Sequence, residues 1–266
     1  MLPVLLSTLE GVGCAMDEER YLQEKQFHNS AYSEAIRDRV AKYYKIAGSR
    51  VKLYEALVYS RCRALDCRTA HILELGVGPE GLIHRLADVV SSAVAIDISE
   101  VAIERAIEAA GNDANATFRV MNAEALEFEN ETFEIILGTA IIHHLNLPKA
   151  YAEVARTLKP NGFAIFMEPL GHNPLINLYR AFTPRLRTED EQPLVMKDLK
   201  LARCYFSEVD VYYFHLLDLL AVPLRNTRYF DSSLGVLQAI DRFVFRHIPA
   251  IRKYAWYSVM VLGSPK

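Results

Sequence analysis

The stretch that decides the fold is HILELGVGPEGLIHRLA, residues 71–87. It begins as an apolar run that is typical of a buried strand, and it ends as a helical pattern. Between the two, Gly76, Gly78 and Gly81 have the spacing G-x-G-x-x-G, which lets a ligand approach the backbone because glycine has no Cβ atom. The stretch therefore predicts a strand, a nucleotide-binding turn, and a helix whose free N–H groups face the ligand.

Strands and helices alternate regularly after this turn. Gly111 is placed to end one of the helices. Apolar strands that are separated by helices predict a parallel sheet covered on both faces. We expect a turn at Pro160–Asn161–Gly162, because these residue types favour turns. The predicted strands are 71–77, 92–99, 116–125, 132–138, 163–170, 208–217 and 254–263.

Two domains are predicted from the change of pattern near residue 69. Residues 1–68 form an N-terminal helical cap, because apolar residues recur at helical spacing from Asp17 to Leu65. We expect Gly48 to divide this cap into two helices. Residues 69–266 form the core domain.

An insertion follows the fifth strand, at residues 171–205. Its amphipathic stretch starts near Pro174 and has three interpretations: a lid over an elongated apolar acceptor with an acidic end, a dimer or membrane-surface contact, or ordinary packing. Thr188 and Glu191 have the spacing of a capping box, which predicts a helix start and not a metal site. The arginines available to an acidic acceptor are Arg180, Arg185 and Arg187.

The composition excludes several classes of protein. Of the 266 residues, 51 % are hydrophobic and the formal net charge is −3, which argues against disorder and against a nucleic acid partner. The four cysteines lack the spacing of a zinc site, and we expect no metal. Residues 1–16 lack the basic start of an export signal, and no stretch is apolar enough to span a membrane. We therefore expect a cytoplasmic protein.

The identity of the nucleotide depends on the carboxylates around the turn. Asp97 ends the second strand, where it can accept hydrogen bonds from both hydroxyls of a ribose, and this suits NAD and S-adenosylmethionine equally. Glu74 lies two residues before Gly76, where its charge repels a pyrophosphate but suits the ammonium group of a methionine moiety. Asn122 and Glu124 end the third strand, where an adenine edge would lie. These features favour S-adenosylmethionine over NAD.

At these residues the sequence resembles the class I S-adenosylmethionine-dependent methyltransferases, in the branch that contains quinone and small-molecule methyltransferases. ELGVGPEG resembles the glycine turn of the family, and AIDIS resembles its ribose-binding strand end. NAEAL resembles its adenine-binding segment, in which the family usually has Asp at the position of Asn122. GTAIIHHL and ARTLKPNGFAIFMEP resemble its fourth and fifth strand regions, so that the resemblance covers roughly residues 70–170.

The resemblance implies a doubly wound, Rossmann-like α/β fold. The sheet is expected to be seven-stranded and mostly parallel, with an antiparallel last strand at 254–263. The implied cofactor is S-adenosylmethionine, and the product is S-adenosylhomocysteine. The residues that the resemblance assigns to cofactor binding are Glu74, Gly76, Gly78, Gly81, Asp97, Ile98, Asn122, Ala123, Glu124 and Gly138.

Histidines are the candidates for a catalytic base. Methyl transfer to a hydroxyl oxygen requires removal of the hydroxyl proton, and histidine is the side chain that titrates near neutral pH. His143 and His144 follow the fourth strand, and one of the two is expected to point into the crevice. We take His144 as a candidate base, and the alternative is a histidine packed under a helix.

Two further histidines are weaker candidates. His172 follows Glu168 at the mouth of the same crevice, where the two side chains would form a pair that orients a base. In the alternative interpretation, Asn173 caps the next helix and His172 faces solvent. His28 lies in the cap, where a structural role is favoured.

These observations predict a methyltransferase that acts on a small-molecule acceptor. Transfer to oxygen is favoured and transfer to carbon is next. The acceptor is expected to be small, and an elongated, apolar or acidic one fits the insertion; a homo-oligomer is left open. The alternatives are an NAD-dependent oxidoreductase and a non-catalytic scaffold that keeps the cofactor fold. The intact carboxylates and glycines of the turn argue against the scaffold.

Overall fold

The computed structural model describes residues 19–30, 37–65, 69–78, 81–87, 90–111, 115–183 and 192–266. Its centre is a seven-stranded sheet with the order β3-β2-β1-β4-β5-β7-β6. The strands are β1 His71–Leu75, β2 Ser92–Asp97, β3 Ala116–Val120, β4 Phe133–Thr139, β5 Leu158–Pro169, β6 Phe206–Phe214 and β7 Tyr257–Pro265.

The strand directions confirm the predicted fold class. Neighbours among β1 to β5 pair in parallel, and β7 is antiparallel to both β5 and β6. The helices are α1 19–30, α2 Arg37–Ala64, α3 Ile83–Leu86, α4 Glu100–Ala110, α5 Leu147–Thr157, α6 Pro174–Ala181, α7 Met196–Tyr205 and α8 Phe230–His247. Short 3-10 helices occupy Ile142–His144, Asp218–Leu224 and Pro249–Tyr254.

Two hydrophobic clusters cover the two faces of the sheet. Because successive strand residues point to opposite faces, Ile72 and Leu73 of β1 belong to different clusters. One cluster joins the sheet to α5 and α7, and it includes the fully buried Tyr151. The other joins it to α2, α3 and α4, and it includes the buried Tyr54. The sheet is therefore a layer that is buried on both faces, and in such sheets ligands bind at the carboxyl edge.

The crevice for a ligand is set by the strand order. β1 lies between β2 and β4. The chain therefore adds β2 and β3 on one side of β1 and then adds β4 and β5 on the other side, so that the strand order reverses beside β1. In doubly wound sheets, ligands bind outside the carboxyl ends of the strands at such a point. The glycine turn follows β1, Asp97 ends β2, and His144 lies just beyond β4. All three are therefore brought to one place.

Two local predictions are wrong. Gly48 does not divide the cap, because α2 continues through it from Arg37 to Ala64. A glycine inside a helix costs only about 1 kcal/mol, which the buried residues around it can offset. The turn predicted at 160–162 lies inside β5, where Phe133 pairs with Leu158 but Ile135 pairs with Phe163. The extra residues are absorbed as an irregularity of the strand.

Other features of the chain agree with the predictions or lie outside the described residues. Gly111 ends α4 with a φ of 61°, as expected. The proposed capping box at Thr188–Glu191, with Arg185 and Arg187, lies outside the described residues. The division into a cap and a core domain stays a prediction. None of the helices in the described ranges is long and apolar enough to cross a membrane.

Candidate active site

The glycine turn requires glycine at the positions that the sequence marked. Gly76 and Gly78 have φ values of 66° and 52°, which residues with a Cβ atom rarely adopt. A Cβ atom on Gly76 would also lie 2.9 Å from the Ile141 side chain, and one on Gly81 would lie 2.4 Å from that of Val77. The turn is thus closely packed against the neighbouring loop. Residues 79 and 80 lie outside the described residues.

Glu74 holds the start of the helix that follows the turn. Its side chain is buried, and its two carboxylate oxygens accept hydrogen bonds from the amides of Leu82, at 2.9 Å, and Ile83, at 2.7 Å. Burial raises the pKa of Glu74 to about 7, against the effect of these hydrogen bonds. A pyrophosphate would need the same amides, which argues against the NAD interpretation. Glu74 is not among the described residues that line the cavity, and its contact with an ammonium group stays a prediction.

Asp97 lies at the end of β2 with its carboxylate held in place by two backbone amides. Its oxygens accept from Gly78 at 3.0 Å and from Ser99 at 2.9 Å. Burial raises its pKa, although these hydrogen bonds act in the opposite direction. Each carboxylate oxygen can accept a second hydrogen bond. A fixed carboxylate of this kind can receive the two neighbouring hydroxyls of a ribose.

A cavity of about 420 Å³ opens beside this carboxylate. This volume is within the usual range of about 300–1,000 Å³ for small-molecule sites. Its wall is partly apolar, through Ile96, Met121, Ile141 and Leu145. The predicted cofactor residues that line it are Gly76, Asp97, Ile98, Asn122, Ala123 and Glu124. Such a wall can accommodate a flat base and a sugar, because apolar side chains can cover a base and a carboxylate can accept hydrogen bonds from sugar hydroxyls.

Three of the predicted cofactor residues lie behind the wall of the cavity, namely Gly78, Gly81 and Gly138. They do not line it within the described part of the chain. A Cβ atom on Gly138 would lie 2.7 Å from the Ile141 side chain and 3.1 Å from that of Phe166. Gly138 therefore makes room for Ile141, which does line the cavity.

Asn122 and Glu124 link the loop after β3 to two helices. Asn122 Oδ1 accepts from the Glu124 amide at 2.9 Å. Glu124 Oε1 accepts from the Asn146 amide at 2.7 Å, at the start of α5, and pairs with Arg20 of α1. The predicted adenine contact of Asn122 stays a prediction, and the side-chain oxygen of Asn122 already accepts one hydrogen bond.

Helix α1 forms the opposite wall of the cavity, which sequence reasoning did not place. Its polar side chains bond to residues of the segments that follow β2 and β3, so that α1 lies over these segments. The contacts are Arg20 with Glu124, Lys25 with Glu100, and Asn29 with Ser99 and Glu100. Arg20, Tyr21, Glu24 and His28 line the cavity from this side. No local signal in the sequence marks Glu24, because its role depends on where α1 packs.

His144 lies on the cavity wall against Glu24 and His28. Its Nδ1 is 3.3 Å from Glu24 Oε2, and the same oxygen is 3.4 Å from His28 Nε2. The two imidazole rings meet edge to face at 5.2 Å. Burial lowers the pKa of His144, which favours its neutral form at pH 7. We call Glu24, His28 and His144 the α1–β4 cluster.

His143 points away from the cavity, so the predicted split of the pair is confirmed. Its Nδ1 lies 2.6 Å from Oε2 of the fully buried Glu168. The other oxygen of Glu168 accepts from the amides of Ile141, at 3.0 Å, and Ile142, at 3.1 Å. Glu168 therefore fixes the short helix after β4 and, through it, the direction of His144.

The predicted pair of Glu168 with His172 is wrong. Glu168 is occupied by His143 and two backbone amides, whereas His172 is exposed and accepts from the Met196 amide at 3.3 Å. The alternative is confirmed, because Asn173 caps α6 by accepting from the amides of Leu175 and Ile176. His172 is displaced from the cavity by this cap.

The α1–β4 cluster also contains donor types that bind divalent metals. Its three donor atoms lie within 4.8 Å of one another, whereas the sequence predicts no metal site. Each short contact, however, joins a carboxylate oxygen to an imidazole nitrogen. An ordinary carboxylate–histidine pair makes the same contact, so no ion is needed to explain the arrangement.

Comparison with known proteins gives one matching family and, among others, two ubiquinone biosynthesis O-methyltransferases as relatives. Residues 73–166 match the family described as a methyltransferase domain. The ubiquinone biosynthesis O-methyltransferase of Bartonella tribocorum is 33 % identical over 93 residues, 34 % of this chain and 38 % of that protein. The one from Parvibaculum lavamentivorans is 29 % identical over 129 residues, 48 % of this chain and 46 % of that protein. The chain thus spans about half or less of the length of the curated relatives it matches.

Solved structures share the fold at low sequence identity. YcgJ of Bacillus subtilis has a TM-score of 0.52 and 15 % identity, over 79 % of this chain and 98 % of that chain. PH0226 of Pyrococcus horikoshii has a TM-score of 0.53 and 21 % identity, over 82 % of this chain and 91 % of that chain. These likenesses bear on the fold alone. The segment that matches a methyltransferase domain, residues 73–166, is thus the part of the chain that contains the glycine turn and the strand-end carboxylate Asp97.

Proposed function

We propose that this protein transfers the methyl group of S-adenosylmethionine to a hydroxyl oxygen of a small-molecule acceptor. The observation that carries this proposal is the cavity itself. One of its walls has the glycine turn and Asp97, which suit a nucleoside, and the other has the titratable α1–β4 cluster. A donor held by the first wall presents its methyl group toward the second. A binding site alone would not need a partly buried imidazole at that place.

The strand-end wall binds the cofactor. Asp97 accepts hydrogen bonds from the ribose hydroxyls, and the loop that contains Asn122 contacts the adenine edge. The closely packed turn at Gly76 lets the amino-acid tail pass near the backbone. Glu74 fixes that turn by accepting hydrogen bonds from the amides of Leu82 and Ile83. The negative charge of Glu74 favours the ammonium group of the tail. The apolar side chains of the wall exclude water from the sulfonium.

An oxygen acceptor is favoured over a carbon acceptor. The two ubiquinone biosynthesis relatives are named for transfer to oxygen. An imidazole beside the donor is also more useful to a hydroxyl, because a hydroxyl proton must be removed while the bond to the methyl group forms. The proposed substrate class is therefore a small molecule with a phenolic or similarly acidic hydroxyl.

His144 acts as the general base in this proposal. The acceptor oxygen attacks the methyl carbon, the electron pair of the carbon–sulfur bond moves to sulfur, and the hydroxyl proton moves to His144. Because Nδ1 of His144 faces Glu24, Nε2 is the nitrogen that accepts the proton. Glu24 holds the ring and stabilises the positive charge that develops on it, as a carboxylate does for a catalytic histidine. Alignment of the two reacting groups supplies much of the rate.

The test combines calorimetry with a transfer assay. S-adenosylhomocysteine is titrated into the full chain, with NAD as the comparison, and one-to-one binding of S-adenosylhomocysteine alone is expected. Labelled S-adenosylmethionine is then offered with phenols, with catechols and with matched compounds that lack the hydroxyl. Label in the hydroxylated compounds alone supports the proposal. Label on a ring carbon would show that the acceptor atom is carbon and not oxygen. Binding of NAD alone would restore the oxidoreductase interpretation, and cofactor binding without any transfer would restore the scaffold.

A further inference from the structure

Helix α8 has apolar side chains on both of its faces. Its inner face is packed, with Phe230 and Phe245 buried. On its outer face, Val236 is 61 % exposed, Ile240 is 41 % exposed and Phe243 is 62 % exposed. Positions separated by four and three residues form one stripe along a helix. Exposed apolar side chains that are contiguous on a protein surface are typical of an interaction site, and this stripe is such a group.

The apolar surface continues beyond α8 and onto α6. Ile248 and Tyr254 are exposed after the end of α8. The segment reaches α6 through a hydrogen bond of 2.7 Å from Asn173 Nδ2 to the Tyr254 carbonyl oxygen. The exposed apolar side chains of α6 and its end are Leu175, Leu178 and Phe182. We call the outer stripe of α8, its continuation to Tyr254 and these residues of α6 the outer apolar surface.

Positive charge accompanies the outer apolar surface. Residues 242–254 contain no acidic residue, although the whole chain has a formal net charge of −3. α6 likewise contains Arg180 and no acidic side chain. The exposed cations next to the stripe are Arg242, Arg246 and Lys253. A surface that mixes exposed apolar side chains with cations is complementary to a partner that is apolar inside and anionic outside.

We propose that the outer apolar surface binds the surface of a membrane that contains anionic lipids. Apolar side chains of an interfacial helix enter the boundary between headgroups and acyl chains, and arginine and lysine contact the anionic headgroups. A second copy of the chain fits less well, because a symmetric contact would bring the arginines of α8 against each other. This inference does not depend on the proposed methyl transfer.

Sedimentation with lipid vesicles tests the proposal. The full chain is mixed at low salt with vesicles of phosphatidylcholine alone, or of phosphatidylcholine and phosphatidylglycerol in equal parts. We expect binding to the anionic vesicles, weak binding to the neutral ones, and release by salt, which screens exposed charges. Absence of binding to the anionic vesicles overturns the proposal.

Two variants and one matched control assign the binding to this surface. Arg242→Glu with Arg246→Glu is expected to weaken binding about tenfold or more, because each cation near an anionic membrane contributes about a factor of five. Val236→Ser with Phe243→Ser removes two of the exposed apolar side chains of this surface and is expected to weaken binding about tenfold or more. Arg105→Glu with Ile107→Ser changes an exposed cation and a half-exposed apolar residue on α4, and it should bind as the unchanged chain does.

Folding and self-association are measured in the same samples. Each variant must keep the circular dichroism of the parent, and where Val236→Ser with Phe243→Ser fails to fold, the charge variant alone decides. Vesicle binding that is equal in the charge variant and the control overturns the proposal. So does a dimer that forms without lipid and is lost on Phe243→Ser, because it assigns the surface to a second copy.

Discussion

The two walls of the cavity are built in different ways. Asp97 on the strand-end wall and Glu74 behind it accept hydrogen bonds from backbone amides that lie within twenty residues of them in sequence. On the α1 wall, Glu24 contacts His144 side chain to side chain, across more than one hundred residues of sequence. The first arrangement is specified by a short stretch of chain. The second exists only after α1 has packed across the strand ends.

The largest expected effect is on the α1 wall. His144→Ala should lower the rate of methyl transfer about 10²-fold to 10⁴-fold, the usual contribution of a positioned general base. The affinity for S-adenosylhomocysteine should change little, since we propose that the nucleoside binds against the other wall. Single-turnover transfer and calorimetry measure the two effects. His172→Ala is the matched control, because His172 is exposed and bonded to Met196, and it should leave the rate unchanged.

The next effect is on the strand-end wall. Asp97→Ala should weaken the binding of S-adenosylhomocysteine about tenfold to one hundredfold, from roughly 1–3 kcal/mol for buried hydrogen-bonding groups left without a partner. Transfer at saturating cofactor should fall much less than the affinity does. Asp210→Ala, at an exposed position of β6, is the control. If Asp97→Ala reduced the rate and left the affinity intact, the roles assigned to the two walls would be reversed.

The pH dependence separates a neutral base from other sources of rate. Only neutral His144 accepts a proton, and burial lowers its pKa below the usual value of 6.5, with Glu24, His28 and His143 as its titratable neighbours. Transfer should therefore rise about tenfold per pH unit below that pKa and be level above pH 6.5. The profile is measured at saturating cofactor. A rate that continued to rise above pH 8 would mean that the acceptor ionises without His144.

A smaller effect is expected from Glu24→Gln, which keeps the shape of the side chain and removes its charge. The rate should fall about twofold to fivefold, as for the loss of one charge contact worth roughly 0.2–1 kcal/mol. Since the carboxylate raises the pKa of His144, the inflection of the pH profile should also move to lower pH. An unchanged inflection would limit Glu24 to packing.

The smallest effect is expected from metal removal. Dialysis of the full chain against a chelator should leave the transfer rate unchanged, because the contacts of the α1–β4 cluster are those of carboxylate–histidine pairs. Metal content before and after dialysis is the control. A rate that is lost on dialysis and restored by zinc would assign the cluster to an ion and remove the base role of His144.

The strand-end wall could be predicted from sequence because each of its parts has a local signal. Apolar periodicity places the strands, the glycine spacing places the turn, and the residues at strand ends then meet at one edge. Asp97 and Gly76 were found in this way, and both line the cavity. Glu74 was also singled out, but which backbone groups its carboxylate faces depends on the turn geometry after folding.

The α1 wall could not be predicted in the same way. A helical pattern identifies α1, but it does not say which of its faces will meet His144, because that depends on the packing of α1 over β2 and β3. Glu24 was therefore missed, and His28 was given only a weak role. The sequence pairs His172 with Glu168. In the structure another histidine, His143, already contacts the buried Glu168 carboxylate.

A crystal structure with S-adenosylhomocysteine tests the central claim most directly. The account predicts that both ribose hydroxyls bond to the Asp97 carboxylate and that the sulfur atom faces His144 across the cavity. A nucleoside bound elsewhere, or a sulfur atom turned away from the α1–β4 cluster, would contradict it.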